Sequence, residues 1–194
     1  TTNPNPDVCH DTVRFIGISS FNYHVDDVKC YGGSDGQLAI QQLNSSSSTY
    51  NFYLNGVLNP NPVPYDTVFD NLGPGTYGVL ISDNGFCEIH DSITIQQPDF
   101  PLQVSANSDS LFLCYGSNSG IASATATGGT PWYNGNSPYY SYEWFDGSYT
   151  SIGTDDSISG LVGGSYFVKV TDANGCDTFS TLQVIQVQTP LQGQ

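Results

Sequence analysis

The chain contains nearly the same stretch of sequence twice. GTYGVLISDNGFC at residues 75–87 returns as GSYFVKVTDANGC at residues 164–176, and the two align without a gap. Each copy follows a second recurring block, CYGGSDG at 30–36 and CYGSNSG at 114–120, so equivalent cysteines lie 84 and 89 residues apart. Internal repeats of this length indicate tandem domains.

A third, partial copy lies at the N-terminus. VCHDTVRFIGI at residues 8–18 has the same form as the strand that follows the second cysteine of each repeat. We therefore interpret residues 1–18 as the C-terminal end of a preceding repeat, 19–98 as repeat 1 and 99–194 as repeat 2. The sequence thus predicts a segment of a longer array, with neighbouring repeats of the same chain as its partners.

The charge of the chain excludes several classes of partner. Three basic residues stand against 18 acidic ones, which gives a net charge of −15 and a pI near 4.1. This balance repels nucleic acid and anionic membrane surfaces. We also find no apolar run of about 18 residues, so we expect no membrane insertion of this segment.

The five cysteines favour disulfide bonds over metal or thiol chemistry. No C-x-x-C motif is present, and disulfides of this kind are typical of an oxidising, extracellular compartment. The register of the repeats predicts the pairs Cys30–Cys87 and Cys114–Cys176, and leaves Cys9 for a partner upstream. Each bridge would contribute about 4 kcal/mol in the chain-entropy model. The alternative is that the cysteines are reduced core residues.

Strand-like segments recur about every ten residues between Gly, Asn, Asp and Pro turns, which predicts an all-β fold of tandem Ig-like antiparallel β-sandwich domains, each closed by one disulfide. In the equivalent strands GTYGVLISD and GSYFVKVTD, apolar residues at every second position predict that one face of each strand is buried. The predicted inward residues are Tyr77, Val79, Ile81, Tyr166, Val168 and Val170. Because each tyrosine lies ten residues before its cysteine, the spacing differs from the tyrosine corner of antibody domains.

Nothing in the sequence points to catalysis. The histidines occupy unrelated positions in the repeats, no G-x-S-x-G motif is present, and Glu88 and Glu143 are the only glutamates. We therefore expect a protein that is not an enzyme.

The repeat motif resembles that of a known family. Repeat 2 combines CYGSNSG, GGTP, YEW and LVGGSYFVKVTDANGC, whereas repeat 1 lacks GGTP and has NFYLNG in place of the Y-x-W segment. These motifs resemble the SprB-type repeats of the large cell-surface adhesins of gliding Bacteroidota. The resemblance implies a secreted filament at the cell surface that is exported by the type IX route and serves in attachment and gliding motility.

Triplets of Asp, then Ser or Thr, then an apolar residue occur more often than composition predicts. They resemble the acceptor motif for protein O-glycosylation in Bacteroidota. The alternative is a polar turn entering a strand, which the sandwich requires anyway. The candidate acceptors are Thr12, Thr67, Ser92, Ser110 and Ser157.

Aspartates near the turns are candidate ligands for a hard cation. Calcium prefers oxygen ligands from carboxylates, and no other cofactor is indicated. The alternative is that these residues are solvated aspartates that cap turns. The candidates are Asp26, Asp27, Asp83, Asp109 and Asp172.

Repeat 2 carries an aromatic insertion at residues 128–144. We expect Tyr142 and Trp144 to point into the core and the Gly/Pro/Asn-rich part to be exposed. Exposed aromatic rings suit contacts with sugars or proteins. Two hypotheses follow: a rigid spacer, and a binding module for surface polysaccharide. The candidate ligand-binding residues are Trp132, Tyr133, Tyr139 and Tyr140, whose alternative role is packing against their own domain or the neighbouring repeat.

Overall fold

The computed structural model describes residues 18–45, 50–59, 66–83, 87–108 and 113–187. Cys9, Thr12, Asp109 and Ser110, for which the sequence predicts roles, therefore lie outside the described residues. The chain divides into two compact units, Thr1–Gln97 and Pro98–Gln194. The regular elements found in the described residues are all strands. Among these residues there is no helix long and apolar enough to cross a membrane.

The first unit is built from seven strands in its described residues, which form two antiparallel sheets with the orders β1-β2-β5 and β4-β3-β6-β7. Val, Ile, Phe and Tyr at alternate positions favour these strands, and Gly, Asn and Pro separate them. The strands are β1 Ile18–Asp26, β2 Gly36–Ser45, β3 Asn51–Leu54, β4 Val57–Leu58, β5 Asp66–Leu72, β6 Gly75–Asp83 and β7 Cys87–Ile95.

The second unit repeats this plan and adds a hairpin. Its sheets have the orders β14-β9-β8 and β13-β12-β15-β16, while β10 and β11 form a separate two-stranded sheet. The strands are β8 Gln103–Ser108, β9 Gly120–Thr127, β10 Trp132–Asn134, β11 Ser137–Tyr139, β12 Ser141–Asp146, β13 Ser151–Gly153, β14 Ser157–Leu161, β15 Gly164–Thr171 and β16 Asp177–Val184.

The two units therefore share one topology. In both, the first, second and fifth strands of the seven form one sheet, and the other four form the second sheet. This is an Ig-like arrangement in which the fourth strand has joined the sheet of the third, sixth and seventh. The predicted all-β fold of tandem Ig-like sandwiches is confirmed.

The apolar residues predicted to alternate along the strands form the core of each unit. Val79 and Ile81 of β6 are buried in the first unit, and Val168 and Val170 of β15 are buried in the second. They pack in two separate hydrophobic clusters, and Trp144 is the largest fully buried side chain. The inward orientation predicted for these strand residues is thus confirmed, and the expected burial of Trp144 with it.

Each unit contains a tyrosine corner that the sequence argument rejected. The Tyr77 hydroxyl donates to the Gly73 carbonyl at 2.9 Å, and the Tyr166 hydroxyl donates to the Val162 carbonyl at 3.0 Å. A corner requires this return to the backbone a few residues upstream. The spacing from tyrosine to cysteine was the wrong criterion, because the cysteines of this chain lie elsewhere on the sandwich.

The predicted disulfide pairs are wrong. Cys30 and Cys176 are disulfide-bonded, whereas Cys87 and Cys114 are not. Neither Cys30–Cys87 nor Cys114–Cys176 is formed. The repeat register identified which cysteines are equivalent but gave the wrong partners.

The positions along β7 explain the failure of the first pair. Cys87 begins this strand, and the Gly32 amide in the loop of Cys30 donates to Gln97 Oε1, just beyond the other end, at 2.7 Å. Nine residues of strand span about 27 Å. A disulfide requires Cα atoms within about 7 Å, so these two cysteines lie at opposite ends of the sandwich.

The second pair fails for the same reason. Gln186, beyond the C-terminal end of β16, donates through Nε2 to the Cys114 carbonyl at 3.1 Å. Cys176 immediately precedes the first residue of β16. The eight residues of this strand separate the two positions by about 24 Å.

Alkylation should distinguish the disulfide-bonded cysteines from the free thiols. We expect an iodoacetamide label at exposed Cys114 in the native chain, and at buried Cys87 only after denaturation, because a thiolate must be accessible to react. Cys30 and Cys176 should be labelled only after reduction. Mass spectrometry of the peptides checks this, and a label at Cys30 without reductant would contradict it.

Candidate functional site

The aromatic insertion forms a hairpin outside the two large sheets of its unit. Trp132 of β10 pairs with Tyr139 of β11, and Tyr133 pairs with Pro138. Gly135 makes the turn with φ of +63°, a conformation that side chains other than glycine rarely adopt. The strand pairing thus sets Trp132 and Tyr139 on one face and Tyr133 on the other.

The rings of the hairpin are partly open to solvent. Trp132 and Tyr139 stack with ring centroids 5.8 Å apart and an interplanar angle of 19°. Tyr133 is 65 % exposed and Tyr139 is also exposed, whereas Trp132 is half-buried. The exposure predicted for this part of the insertion therefore holds for the tyrosines and only in part for Trp132.

Tyr140 anchors the base of the hairpin. Its hydroxyl donates to the Gly128 carbonyl at 2.9 Å. Burial raises the pKa of Tyr140 above its usual range, and repulsion from Tyr142 and Tyr133 in their ionised forms and from the Asp172 carboxylate raises it further. Tyr140 therefore stays neutral and hydrogen-bonded at ordinary pH, in a structural position rather than on the open face.

A buried carboxylate holds the segment that leads into the hairpin. Asp172 is fully buried, and its Oδ2 accepts from the Thr130 amide at 2.8 Å. Its Oδ1 accepts from the amides of Asn174 and Cys176, both at 3.0 Å. One aspartate thus satisfies three backbone donors from two segments distant in sequence, as buried polar groups require.

The glycines of the GGTP motif fit against this carboxylate. Gly128 and Gly129 have φ values of +74° and +58°. A Cβ on Gly129 would lie 2.5 Å from Asp172 Oδ2, and one on Gly128 would lie 2.1 Å from the Pro101 carbonyl oxygen. The GGTP motif and the D-x-x-G-C motif of repeat 2 therefore form one structural element.

The other candidate calcium ligands are dispersed. In the first unit Asp83 Oδ1 accepts from the Cys87 amide at 2.9 Å, which repeats part of the Asp172 turn. Asp27 Oδ1 accepts from the Gln96 amide at 2.7 Å, at the opposite end of β7. Asp26 lies beside His24 at 3.2 Å. No group of three or more potential ligands occurs in the described part of the chain. Calcium binding stays a prediction, and the hydrogen bonds favour turn capping for Asp83 and Asp172.

The candidate glycosylation residues differ in accessibility. Ser92 and Ser157 are exposed, so a glycan at either hydroxyl would extend into solvent. Thr67 is only 2 % exposed, because it points from β5 into the first unit. Thr67 was therefore a poor prediction: a glycan there has no room in the folded unit.

One stacked aromatic pair was not predicted from the sequence. Tyr149, in the turn after β12, stacks on Phe167 of β15 with centroids 5.0 Å apart and an interplanar angle of 10°. Tyr149 also has φ of +60°. Nothing in the local sequence EWFDGSYTS distinguishes this tyrosine from an ordinary turn residue, because the contact depends on a strand that lies far along the chain.

Comparison with known proteins finds similarity to solved structures alone. No family model matches, and no curated protein matches. Three N-terminal domains of the outer capsid protein Hoc of bacteriophage RB49 are 15 % identical, cover 86 % of this chain and align with a TM-score of 0.46; the chain spans 59 % of that structure. The DIP-gamma IG1+IG2 structure is 11 % identical and aligns with a TM-score of 0.40; the match covers 87 % of this chain and 97 % of that structure. A C-terminal fragment of intimin, in complex with the intimin-binding domain of the translocated intimin receptor, is 11 % identical and aligns with a TM-score of 0.43. The match covers 87 % of this chain and 64 % of that structure. Similarity at this level concerns the fold and carries no statement about function.

Proposed function

We propose that this chain is a non-enzymatic repeat segment of a large secreted adhesin or filament at the cell surface, in which the sandwiches act as rigid spacers. The observation that supports this proposal most is the repetition itself. Two sequence repeats form the same seven-stranded plan, strand for strand, in the described residues. Arrays of such units are extended by adding copies, because each unit has its own hydrophobic core.

The segment between the units is short, and the residues on either side of it form hydrogen bonds within their own units. Gln96 donates through its amide to Asp27 within the first unit, and the Phe100 carbonyl accepts from the Gly129 amide within the second. Pro98 and Pro101 restrict the backbone further, since proline fixes φ. A spacer benefits from such a link because a flexible Gly/Ser connector would collapse under thermal motion.

Charge and sulfur chemistry support a surface location. A net charge of −15 keeps neighbouring filaments apart and soluble. The disulfide state of Cys30 and Cys176 suits an oxidising compartment outside the cytoplasm. The finer proposal, from the resemblance of the repeats, is gliding motility with export by the type IX route.

Surface display tests this proposal directly. Antibodies raised against the chain should stain intact cells of the source organism, and proteinase K applied to intact cells should remove the signal. Deleting the repeats should reduce attachment to glass and slow any gliding. A signal that appears only after lysis would contradict the proposal. Intact-mass analysis of the native protein would show whether it carries sugars, and peptide mapping of the same material would show whether Ser92 and Ser157 are the sites.

A second candidate function rests on the aromatic hairpin. The Trp132–Tyr139 stack and the exposed Tyr133 offer flat apolar faces with polar edges, which suit the faces of pyranose rings. In this alternative the second unit is a carbohydrate-binding module for surface polysaccharide.

The variant Trp132→Ala/Tyr133→Ala separates binding from packing. If the hairpin binds polysaccharide, we expect at least a tenfold loss of binding in pull-down with insoluble polysaccharide and a change in Tm below about 2 °C, because surface substitutions change stability little. Tyr31→Ala, an exposed tyrosine of the first unit, is the matched control. A large fall in Tm would instead assign the rings to the fold.

A further inference from the structure

We propose that Tyr149, supported by Phe167, is a second binding platform on this unit and that it receives a neutral pyranose ring of a polysaccharide. The two rings lie nearly parallel, with centroids 5.0 Å apart and 10° between their planes. Tyr149 is nevertheless 73 % exposed. Phe167 thus covers one face of the tyrosine ring, and the opposite face is open to solvent.

The turn that carries Tyr149 fixes the ring before any ligand arrives. Asp146 Oδ1 accepts from the amides of Ser148 and Thr150 at 2.8 and 3.0 Å. The Tyr149 amide donates to the Asp146 carbonyl at 2.9 Å. Three hydrogen bonds therefore define this short turn, so binding would order little that is not already ordered.

The backbone conformation of Tyr149 is unfavourable for a tyrosine. Its φ of +60° lies in the left-handed region, where glycine and asparagine are preferred and bulky residues are rare. Such conformations concentrate at ligand-binding and active sites, where the surrounding structure enforces them. An exposed ring buries little apolar surface, so core packing does not account for a tyrosine at this position.

The surroundings of the stack indicate the chemistry of its ligand. Trp144 and Val168 point into the core, so their neighbours Phe145 and Phe167, which pair across β12 and β15, lie on the outer face. Thr181 of β16 lies opposite Phe167 on the same face. Thr181 thus places a hydroxyl group beside the aromatic patch.

An amide lies on the same face. Ser165 donates through Oγ to Gln183 Oε1 at 2.9 Å, which leaves the amide nitrogen of Gln183 as a donor on this face. Flat apolar rings beside hydroxyl and amide groups match a sugar, which has an apolar C–H face and hydroxyl edges. The net charge of −15 disfavours acidic glycans.

The size of the patch favours a sugar over a protein. A stable protein interface buries about 800 Å² on each partner, whereas the strongly exposed rings on this face are those of Tyr149 and of Phe179 in β16, two residues from Thr181. The proposal is independent of the spacer role and of the hairpin. Tyr140, at the base of the hairpin, precedes β12 and Tyr149 follows it, so six residues of strand separate the base of the hairpin from the Tyr149 turn by about 17 Å.

Three substitutions of Tyr149 test the proposal on the full chain. The probes are insoluble cellulose, chitin and β-1,3-glucan, and the readout is depletion of protein from the supernatant. Tyr149→Asn suits the left-handed backbone and removes the ring, so we expect at least a fivefold loss of binding with Tm unchanged or raised. Tyr149→Gly should behave in the same way. Tyr149→Phe keeps the ring and should bind within twofold of the original chain, and Tyr115→Asn, an exposed tyrosine elsewhere in the unit, should not change binding.

Several results would overturn the proposal. The first is that the original chain binds none of the three polysaccharides. The second is that Tyr149→Asn binds as well as the original chain, and if Trp132→Ala/Tyr133→Ala then abolishes binding, the sugar site is the hairpin. The third is a clear fall in Tm for Tyr149→Asn, which would give the ring a structural role. Self-association that Tyr149→Asn abolishes in sedimentation equilibrium would make the occupant a second copy of the chain.

Discussion

Asp172→Ala should lower the free energy of unfolding of the second unit by about 3–5 kcal/mol, since each buried donor left without an acceptor costs about 1–3 kcal/mol. The substitution removes the acceptor of three backbone amides, those of Thr130, Asn174 and Cys176. A loss of this size is a large fraction of the stability of a domain under 100 residues. The GGTP segment and the turn before β16 would lose their common support.

Tryptophan fluorescence makes this measurement specific to one unit. Trp132 and Trp144 are the only tryptophans of the chain, and both lie in the second unit. Urea titration should therefore show an earlier tryptophan transition for Asp172→Ala. Asp155→Ala, which removes an exposed carboxylate from the same unit, is the control. A shift below about 1 kcal/mol would contradict the role assigned to Asp172.

Asp172→Asn distinguishes hydrogen bonding from charge. The amide keeps one oxygen that can accept from two of the three donors, but its NH₂ group faces the remaining N–H. We expect a smaller loss than for alanine. Asp83 occupies the equivalent turn of the first unit, where its Oδ1 accepts from the Cys87 amide, so Asp83→Ala should destabilise that unit as well.

The faces of the strands followed from the sequence because strand side chains alternate strictly. Val79 and Ile81 are two residues apart, as are Val168 and Val170, and a period of two can bury them only together. The fold class followed in turn, because two half-apolar sheets must cover each other.

The cysteine partners did not follow from the sequence. The alignment of the repeats shows that Cys30 corresponds to Cys114 and Cys87 to Cys176, but it contains no information on which end of a sandwich each occupies. That position depends on strand direction. Cys87 and Cys176 stand at the start of a last strand, and the loops of Cys30 and Cys114 lie at its end.

The recurrence of Asp172 and Asp83 pointed to a specific role but could not identify it. A carboxylate in a turn can hold a cation or accept from backbone amides, and both uses select aspartate. The distinction depends on burial and on the direction of neighbouring N–H groups, which only the folded chain reveals. The stacking of Tyr149 could not be predicted either, since its partner Phe167 comes from another strand.

Trp144→Ala should destabilise the second unit by about 3–5 kcal/mol, as truncation of a buried aromatic residue does. Trp144 is fully buried in the core between the two sheets, beside Val168 and Val170. Its indole Nε1 donates to the Asp155 carbonyl at 3.0 Å. The substitution therefore opens a cavity and removes a hydrogen bond that ties the segment before β14 to β12.

Calorimetry should be used here, because the substitution removes the buried fluorophore. We expect the melting transition of the second unit to fall by at least 10 °C, since about 1 kcal/mol shifts the Tm of a domain of this size by 4–8 °C. Trp132→Ala is the matched control, because it removes the same side chain from the half-buried hairpin and should cost less than about 1 kcal/mol. Trp144→Phe retains most of the ring volume but cannot donate to Asp155, so its loss should fall between the two. Equal losses for Trp144→Ala and Trp132→Ala would mean that the hairpin belongs to the core, and the case for it as a binding surface would fail with that result.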